Sequence, residues 1–226
     1  MFRIVRPINA PAGLSKGYSS NDVVLKLREI FHKKCYLCET KETSAPEVEH
    51  FVPQSLNPKL ATDWNNLFYS CRRCNAIKSS STKELLDCTK DDVFEAIICE
   101  LPTRKTKPIT IEVSSGYESV ATTNTVELLK KCYNREESGY QQITKAELRN
   151  KLVRYYRKYL EYSETLLDDE SGRREKIHAE DKLERMLQPD FAFHAFWRRM
   201  FLDDVELMKH YSHLLDPIEL HQKVNN

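Results

Sequence analysis

Glycine is scarce, with five residues in 226. So few flexible positions, beside a hydrophobic share of 40%, argue against a disordered or low-complexity chain and for a folded, helix-rich one. Long apolar runs are missing too, and none approaches the roughly 20 residues of a membrane span. The first residues lack the basic, apolar and small-residue order of a signal peptide. A cytoplasmic protein with no membrane partner is expected. Net charge is nearly absent: 35 Lys and Arg against 34 Asp and Glu leave +1. Composition therefore does not announce a nucleic-acid binder, and any such surface must come from clustering. The length allows one or two domains.

Seven cysteines are an odd number, which speaks against a disulfide framework. Four stand in two Cys-x-x-Cys pairs, Cys35/Cys38 in C-Y-L-C and Cys71/Cys74 in C-R-R-C. Two thiolates three residues apart can turn onto one ion, and two pairs supply the four sulfurs of a tetrahedral structural zinc. Two pairs in one short segment favour metal over redox chemistry. Cys88, Cys99 and Cys132 read as small buried hydrophobes.

Between the pairs lie Glu49-His50, in V-E-H-F-V-P, and Asn66-Leu67, in W-N-N-L; Asn75 follows Cys74 directly. A neutral imidazole accepts a proton near pH 7, so His50 is a candidate general base. Glu49 and Asn75 offer the oxygen ligands that suit a hard ion such as Mg²⁺. Val48 and Phe51 flank the Glu-His pair and Pro53 closes the run, which predicts the end of a short strand. Asn66 to Ser70 reads as its antiparallel partner, and Asn75 is expected to open a helix. Strand, strand and helix around one divalent ion is a nuclease arrangement.

These residues resemble the HNH endonucleases of the ββα-metal fold, in the variant with a four-cysteine zinc. The resemblance implies that His50 is the general base, that Glu49 and Asn75 hold the catalytic ion, and that Asn66 orients the loop carrying the base. Lys78, in the Cys-Asn-x-x-Lys ending, is then expected at a phosphate. Asn75 stands where the family name has its final His, a substitution that keeps an oxygen ligand. The implied reaction is metal-dependent hydrolysis of phosphodiester bonds, with Zn²⁺ structural and Mg²⁺ or another divalent ion catalytic. DNA is the favoured substrate, with RNA an alternative. The motif covers about a fifth of the chain.

The wider layout is similar to the Septu-type (PtuB-like) nucleases of bacterial anti-phage systems, including retron-associated ones. The shared features are the opening M-F-R-I-V-R-P-I-N-A-P, a helix before the first cysteine pair, and a helical tail containing T-T-N-T-V-E-L-L. That resemblance implies an ABC-type ATPase partner, and a nuclease silent until the partner releases it is compatible with it. A different class of function, a zinc-knuckle adaptor that binds nucleic acid or protein without cutting, accounts for the four cysteines. It gives Glu49, His50 and Asn75 no shared purpose.

The expected fold class is α+β and mostly helical: a nuclease region over 1–123, with its zinc and ββα core at about 35–80, then a helical region over 124–226 for partner or nucleic-acid docking. A strand is predicted over Met1–Val5 and extended loop over 7–18. A helix capped by Ser20 carries Val23, Val24, Leu27, Ile30 and Phe31. Its basic surroundings, Lys26, Arg28, Lys33 and Lys34, read as a solvated face or a phosphate contact. Trp64 is expected to pack on the zinc module, and Arg72 and Arg73 to project toward backbone phosphates. Asp91 caps a predicted helix carrying Val93, Phe94, Ile97 and Ile98. A basic linker over 102–108 leads to a strand at Ile109–Val113 and a short second strand to Ala121. Thr144 and Glu147 form a capping-box pattern. After them an apolar stripe (Leu148, Leu152, Tyr155, Tyr159) backs a basic face of Lys145, Arg149, Lys151, Arg154, Arg157 and Lys158. Phe191, Phe193, Phe196, Trp197, Met200 and Phe201 read as core, with a partner-docking patch as the alternative.

Overall fold

A computed structural model describes residues 1–215 except 44, 103, 105, 106 and 137. Three positions of the basic linker and the tail from 216 onward thus lie outside the described residues. Helix α1 (Asn21–Ile30) follows Ser20 in an extended conformation and buries Val23 and Leu27. A left-handed turn at His32 and Lys33 then aims the chain at the first cysteine pair. Strands β1 (Pro46–His50) and β2 (Leu67–Cys71) pair antiparallel, with Glu49 opposite Phe68 and His50 opposite Leu67. Helix α2 (Arg72–Lys78) leaves β2 without a loop, because the Cys71 sulfur itself caps it, accepting the Cys74 backbone N–H at 3.5 Å. Asn75 therefore lies inside α2, rather than opening it. Asn66 closes a 3-10 turn, Trp64–Asn66, just before β2.

Several expected elements take another form. No strand forms over Met1–Val5. Met1, Phe2 and Ile4 are buried as a strap tied by a backbone bond from Ile4 N–H to the Cys88 carbonyl, 2.9 Å. Arg6 fixes the strap, donating to the Trp64 and Leu67 carbonyls at 2.8 Å each, and the Trp64 indole donates to Pro7. Within 7–18 lies a 3-10 helix, Ala12–Lys16. Helix α3 stops after one turn (Val93–Ala96), and Ile97 and Ile98 belong to β3 (Ile97–Glu100), antiparallel to β4 (Thr110–Val113). β-Branched residues with an available partner strand win over a helical spacing only two turns long. The second short strand is absent as well. Ser119 caps α4 (Val120–Asn134) there, its Oγ accepting the Thr122 N–H.

Helix α5 (Gly139–Leu167) runs unbroken for 29 residues, about 43 Å at 1.5 Å per residue. It begins five residues before Thr144, so the Thr144–Glu147 pattern lies in its interior instead of at a start. Helices α6 (Arg173–Leu187), α7 (His194–Asp203) and α8 (Val205–Tyr211) follow, and the Glu175 carboxylate accepts the Gly172 N–H at 2.7 Å where α6 starts. The aromatic cluster is core. Phe193, Phe196, Trp197 and Phe201 are buried, and the Trp197 indole donates to the Ala192 carbonyl at 2.8 Å. Buried residues from Met1 to Leu215 form one continuous cluster, which the inner face of α4 joins. No helix among the described residues is long and apolar enough to cross a membrane.

Candidate active site and metal centre

The first cysteine pair lies in a tight turn closed by Glu39 N–H to the Cys35 carbonyl, 2.9 Å, and Cys35 N–H to the Thr40 carbonyl, 3.1 Å. Tyr36 N–H bonds the Tyr69 carbonyl of β2 at 3.0 Å, which brings that turn against the start of α2. The four sulfurs of Cys35, Cys38, Cys71 and Cys74 consequently lie within 4.8 Å of one another, with Cys38 and Cys71 3.8 Å apart. A zinc–sulfur bond of about 2.3 Å requires tetrahedral edges of about 3.8 Å. The donor set fits a structural zinc, and four thiolates leave it no open position for water.

Beside this centre is a buried charge cluster. Lys34, expected on a solvated face, is fully buried with its ammonium 3.4 Å from Glu39 and 3.5 Å over the Phe2 ring. The Met1 amino group lies 3.2 Å from the other Glu39 oxygen. Burial pushes Glu39 up, but Lys34 and the amino terminus more than reverse this and hold it at about 2. Burial lowers Lys34 to about 8 against the pull of Glu39. Ala195 N–H reaches Glu39 at 3.3 Å, and Lys41 donates to the Asp190 carbonyl at 2.7 Å. The zinc turn is thereby docked onto the entry to α7.

Period-two alternation puts Glu47 and Glu49 on one face of β1, and α2 covers that face. Lys78, one turn after Asn75, is 2% exposed; its ammonium is bonded to Glu49 and donates to the His50 carbonyl at 3.0 Å. Glu49 is 5% exposed, and burial raises its pKa while Lys78 opposes the shift. The Asn75 amide donates to Glu47 at 2.6 Å, and Arg72 is a looser 3.8 Å from the same carboxylate. Arg72 projects outward, whereas Arg73 turns inward to the Cys132 carbonyl of α4.

His50 ends β1 with Nε2 3.0 Å from the Ala61 carbonyl. A carbonyl only accepts, so this contact is made by the tautomer with its proton on Nε2, which leaves Nδ1 basic. The Gln54 amide nitrogen lies 2.9 Å from Nε2 and 3.2 Å from Nδ1, and Tyr18 packs edge-on to the ring at 4.6 Å. Asn66 fastens the segment after the base: its Oδ1 accepts the Val52 N–H at 2.7 Å, and its Nδ2 donates to Val52 and Leu60 carbonyls at 3.0 and 3.2 Å. With Phe51 N–H on the Asn66 carbonyl, four bonds fix this loop.

The ββα hairpin and helix thus gather His50, Glu49, Asn66, Asn75 and Lys78 in one small module. Within it Asn75 meets Glu47, and Glu49 meets Lys78. Glu47, Gln54 and Tyr18 were not singled out from the sequence. Glu47 was discoverable, standing two residues before Glu49 on a strand. Gln54 and Tyr18 depend on loop folding that leaves no local pattern.

The model of the HNH endonuclease family matches residues 35–81. The chain is 36% identical over 97 residues to Septu protein PtuB of Bacillus thuringiensis, an alignment covering 35% of this chain and 38% of that protein. It is 36% identical over 75 residues to Septu protein PtuB of Bacillus mycoides (strain KBAB4), covering 26% of this chain and 25% of that protein. The matches span well under half the length of these relatives. Residues 35–81 match the HNH endonuclease family and carry a four-cysteine cluster consistent with the zinc-stabilised ββα-metal fold, in a mostly helical chain similar in part to Septu protein PtuB.

Proposed function

We propose that this chain is a metal-dependent endonuclease that hydrolyses phosphodiester bonds, of DNA in preference to RNA. We also propose that it is the nuclease of a bacterial anti-phage system, working in the cytoplasm with an ABC-type ATPase. The observation that carries the nuclease reading is the His50 geometry: an imidazole held between the Ala61 carbonyl and the Gln54 amide, on a loop fastened by Asn66, beside the acidic face covered by α2. His50 Nδ1 takes the proton of an attacking water. Asn66 keeps the ring's loop from relaxing during that transfer. Glu49 and Asn75, with Glu47 beside the latter, are the oxygen donors available to a divalent ion, and Lys78 shares Glu49 with it. When bound, such an ion supplies charge stabilisation at the leaving oxygen. The defence role and the ATPase rest on the similarity to Septu protein PtuB and on the opening and tail segments.

The test uses the purified full chain with Mg²⁺, on plasmid DNA and on RNA, with and without the ATPase. Wild type is expected to cut, and His50→Ala to lose cleavage while keeping zinc content and melting temperature. Cleavage retained by that variant would remove His50 as the base. Binding without cleavage under every condition would favour the adaptor reading.

A further inference from the structure

The cations of α5 form an ordered surface. At 100° per residue, Lys151, Arg154 and Lys158 fall within an arc of about 60° on the helix. All three are exposed, and among the described residues none has an ion-pair or hydrogen-bond partner. Between Glu147 and Glu161 the helix carries five basic residues and no acidic one. In a chain of net charge +1, an uncompensated strip of this kind is a local departure from an otherwise balanced surface. It also adjoins the nuclease module. Lys151, Glu147 and Leu148 of α5 line one side of a cleft of about 390 Å³, and Arg72, Arg73 and Ala76 of α2 line the other.

We propose that the Lys151–Arg154–Lys158 ridge, continued across the cleft by Arg72, holds the phosphate backbone of duplex nucleic acid beside the nuclease module. This rests on the nuclease reading and adds where, and in what form, the substrate lies. The ridge is about 10 Å long at 1.5 Å per residue, which spans about three phosphates at 3.4 Å of axial rise per strand. A duplex is favoured over a single strand because the ridge itself offers charge without stacking surface; the exposed ring of Tyr140, which also lines the cleft, stands eleven residues before Lys151. Tyr155 and Tyr156 are half-buried and Tyr159 is buried, whereas single-strand binders present aromatics to the bases. Glu47 lies 3.8 Å from Arg72, and Glu147 stands one turn before Lys151. These carboxylates bound the strip without interrupting it.

The experiment measures binding separately from cutting. Full-length chain carrying His50→Ala is titrated by fluorescence anisotropy against a labelled DNA duplex of about two helical turns and the matching single strand, over a range of salt. The duplex is expected to bind tighter. Adding Lys151→Gln, Arg154→Gln and Lys158→Gln is expected to weaken duplex binding by on the order of tenfold or more at low salt. The slope of log K against log salt should fall by roughly 2–3, near 0.9 per lost phosphate contact. Arg173→Gln with Arg174→Gln, at the start of α6, is the matched control and is expected to leave both unchanged. An unaltered slope in the triple variant, an equal effect in the control, or preference for the single strand would overturn the proposal. Because binding is read in a cleavage-deficient background, failure of the nuclease reading shows separately, as wild type that binds and never cuts.

Discussion

The zinc module and the helices behind it are stabilised by opposite means. Over residues 35–81 two five-residue strands and a seven-residue helix enclose four cysteines and a buried lysine–glutamate pair. Around α7, by contrast, Trp197 packs among Tyr155, Tyr159 and Phe196. A module this short cannot order itself by burial alone: it borrows the common core through Trp64, Leu67, Phe68 and Tyr69, and adds paired charge and a sulfur set that fits a metal. The helical region depends on area removed from water. What differs is which perturbation each can survive.

The largest effect is expected from Cys74→Ser. Removing one sulfur from a buried four-sulfur set should abolish stoichiometric zinc and with it most soluble protein, as metal analysis and expression yield would show. Normal melting without zinc would erase the contrast. Trp197→Ala should instead cost about 3–5 kcal/mol in urea unfolding while the folded fraction keeps its zinc. Zinc loss there would mean that the two regions unfold as one. Lys78→Met leaves Glu49 buried without its partner and should cost on the order of 3 kcal/mol; adding Glu49→Gln should restore much of the melting temperature. No recovery would show that the lysine acts by packing alone.

The smallest effect, taken per pH unit, is in acid. His194 is buried and held neutral, its pKa lowered by burial from 6.5 to about 3. The unfolded chain therefore binds the extra proton first. Stability is complete above about pH 6.5 and is lost as pH falls toward about 3, by on the order of 1 kcal/mol per pH unit. Urea midpoints at neutral and mildly acidic pH should show this decline, and His194→Phe should flatten it. A slope unchanged by that substitution would assign the acid sensitivity to Glu39, whose protonation belongs to the range from 4.5 down to about 2.

Much of the metal centre could be read from the chain, because Cys-x-x-Cys spacing is local and four sulfurs have few other uses. The β1–β2 hairpin was readable for a similar reason: Glu49-His50 and Leu67–Ser70 carry their own alternation and flanking signals. What failed was decided by neighbours. Val93, Phe94, Ile97 and Ile98 fit one helix by spacing, and only the pairing of Ile97 with Val113 and of Ile98 with Glu112 turned the second half into a strand. Thr144 and Glu147 look like a helix start, yet α5 begins at Gly139, in a turn that leaves Tyr140 and Ile143 exposed. By sequence Lys34 reads as part of a solvated face or a phosphate contact, and Lys78 as a phosphate contact. Their burial required carboxylates, Glu39 and Glu49, arriving through folded turns that no spacing rule describes. The bond between Asn75 and Glu47 likewise joins residues 28 apart.

One contact sets the order in which this molecule can be finished during synthesis. Glu39, inside the first metal-binding turn, takes a backbone N–H from Ala195, 156 residues downstream. At about 5–20 residues per second, a ribosome supplies that donor only about 10–30 s after the cysteine turn has emerged. Throughout this interval the turn carries a carboxylate whose cover has yet to be made. The completed nuclease architecture therefore comes into being only once α7 has been made.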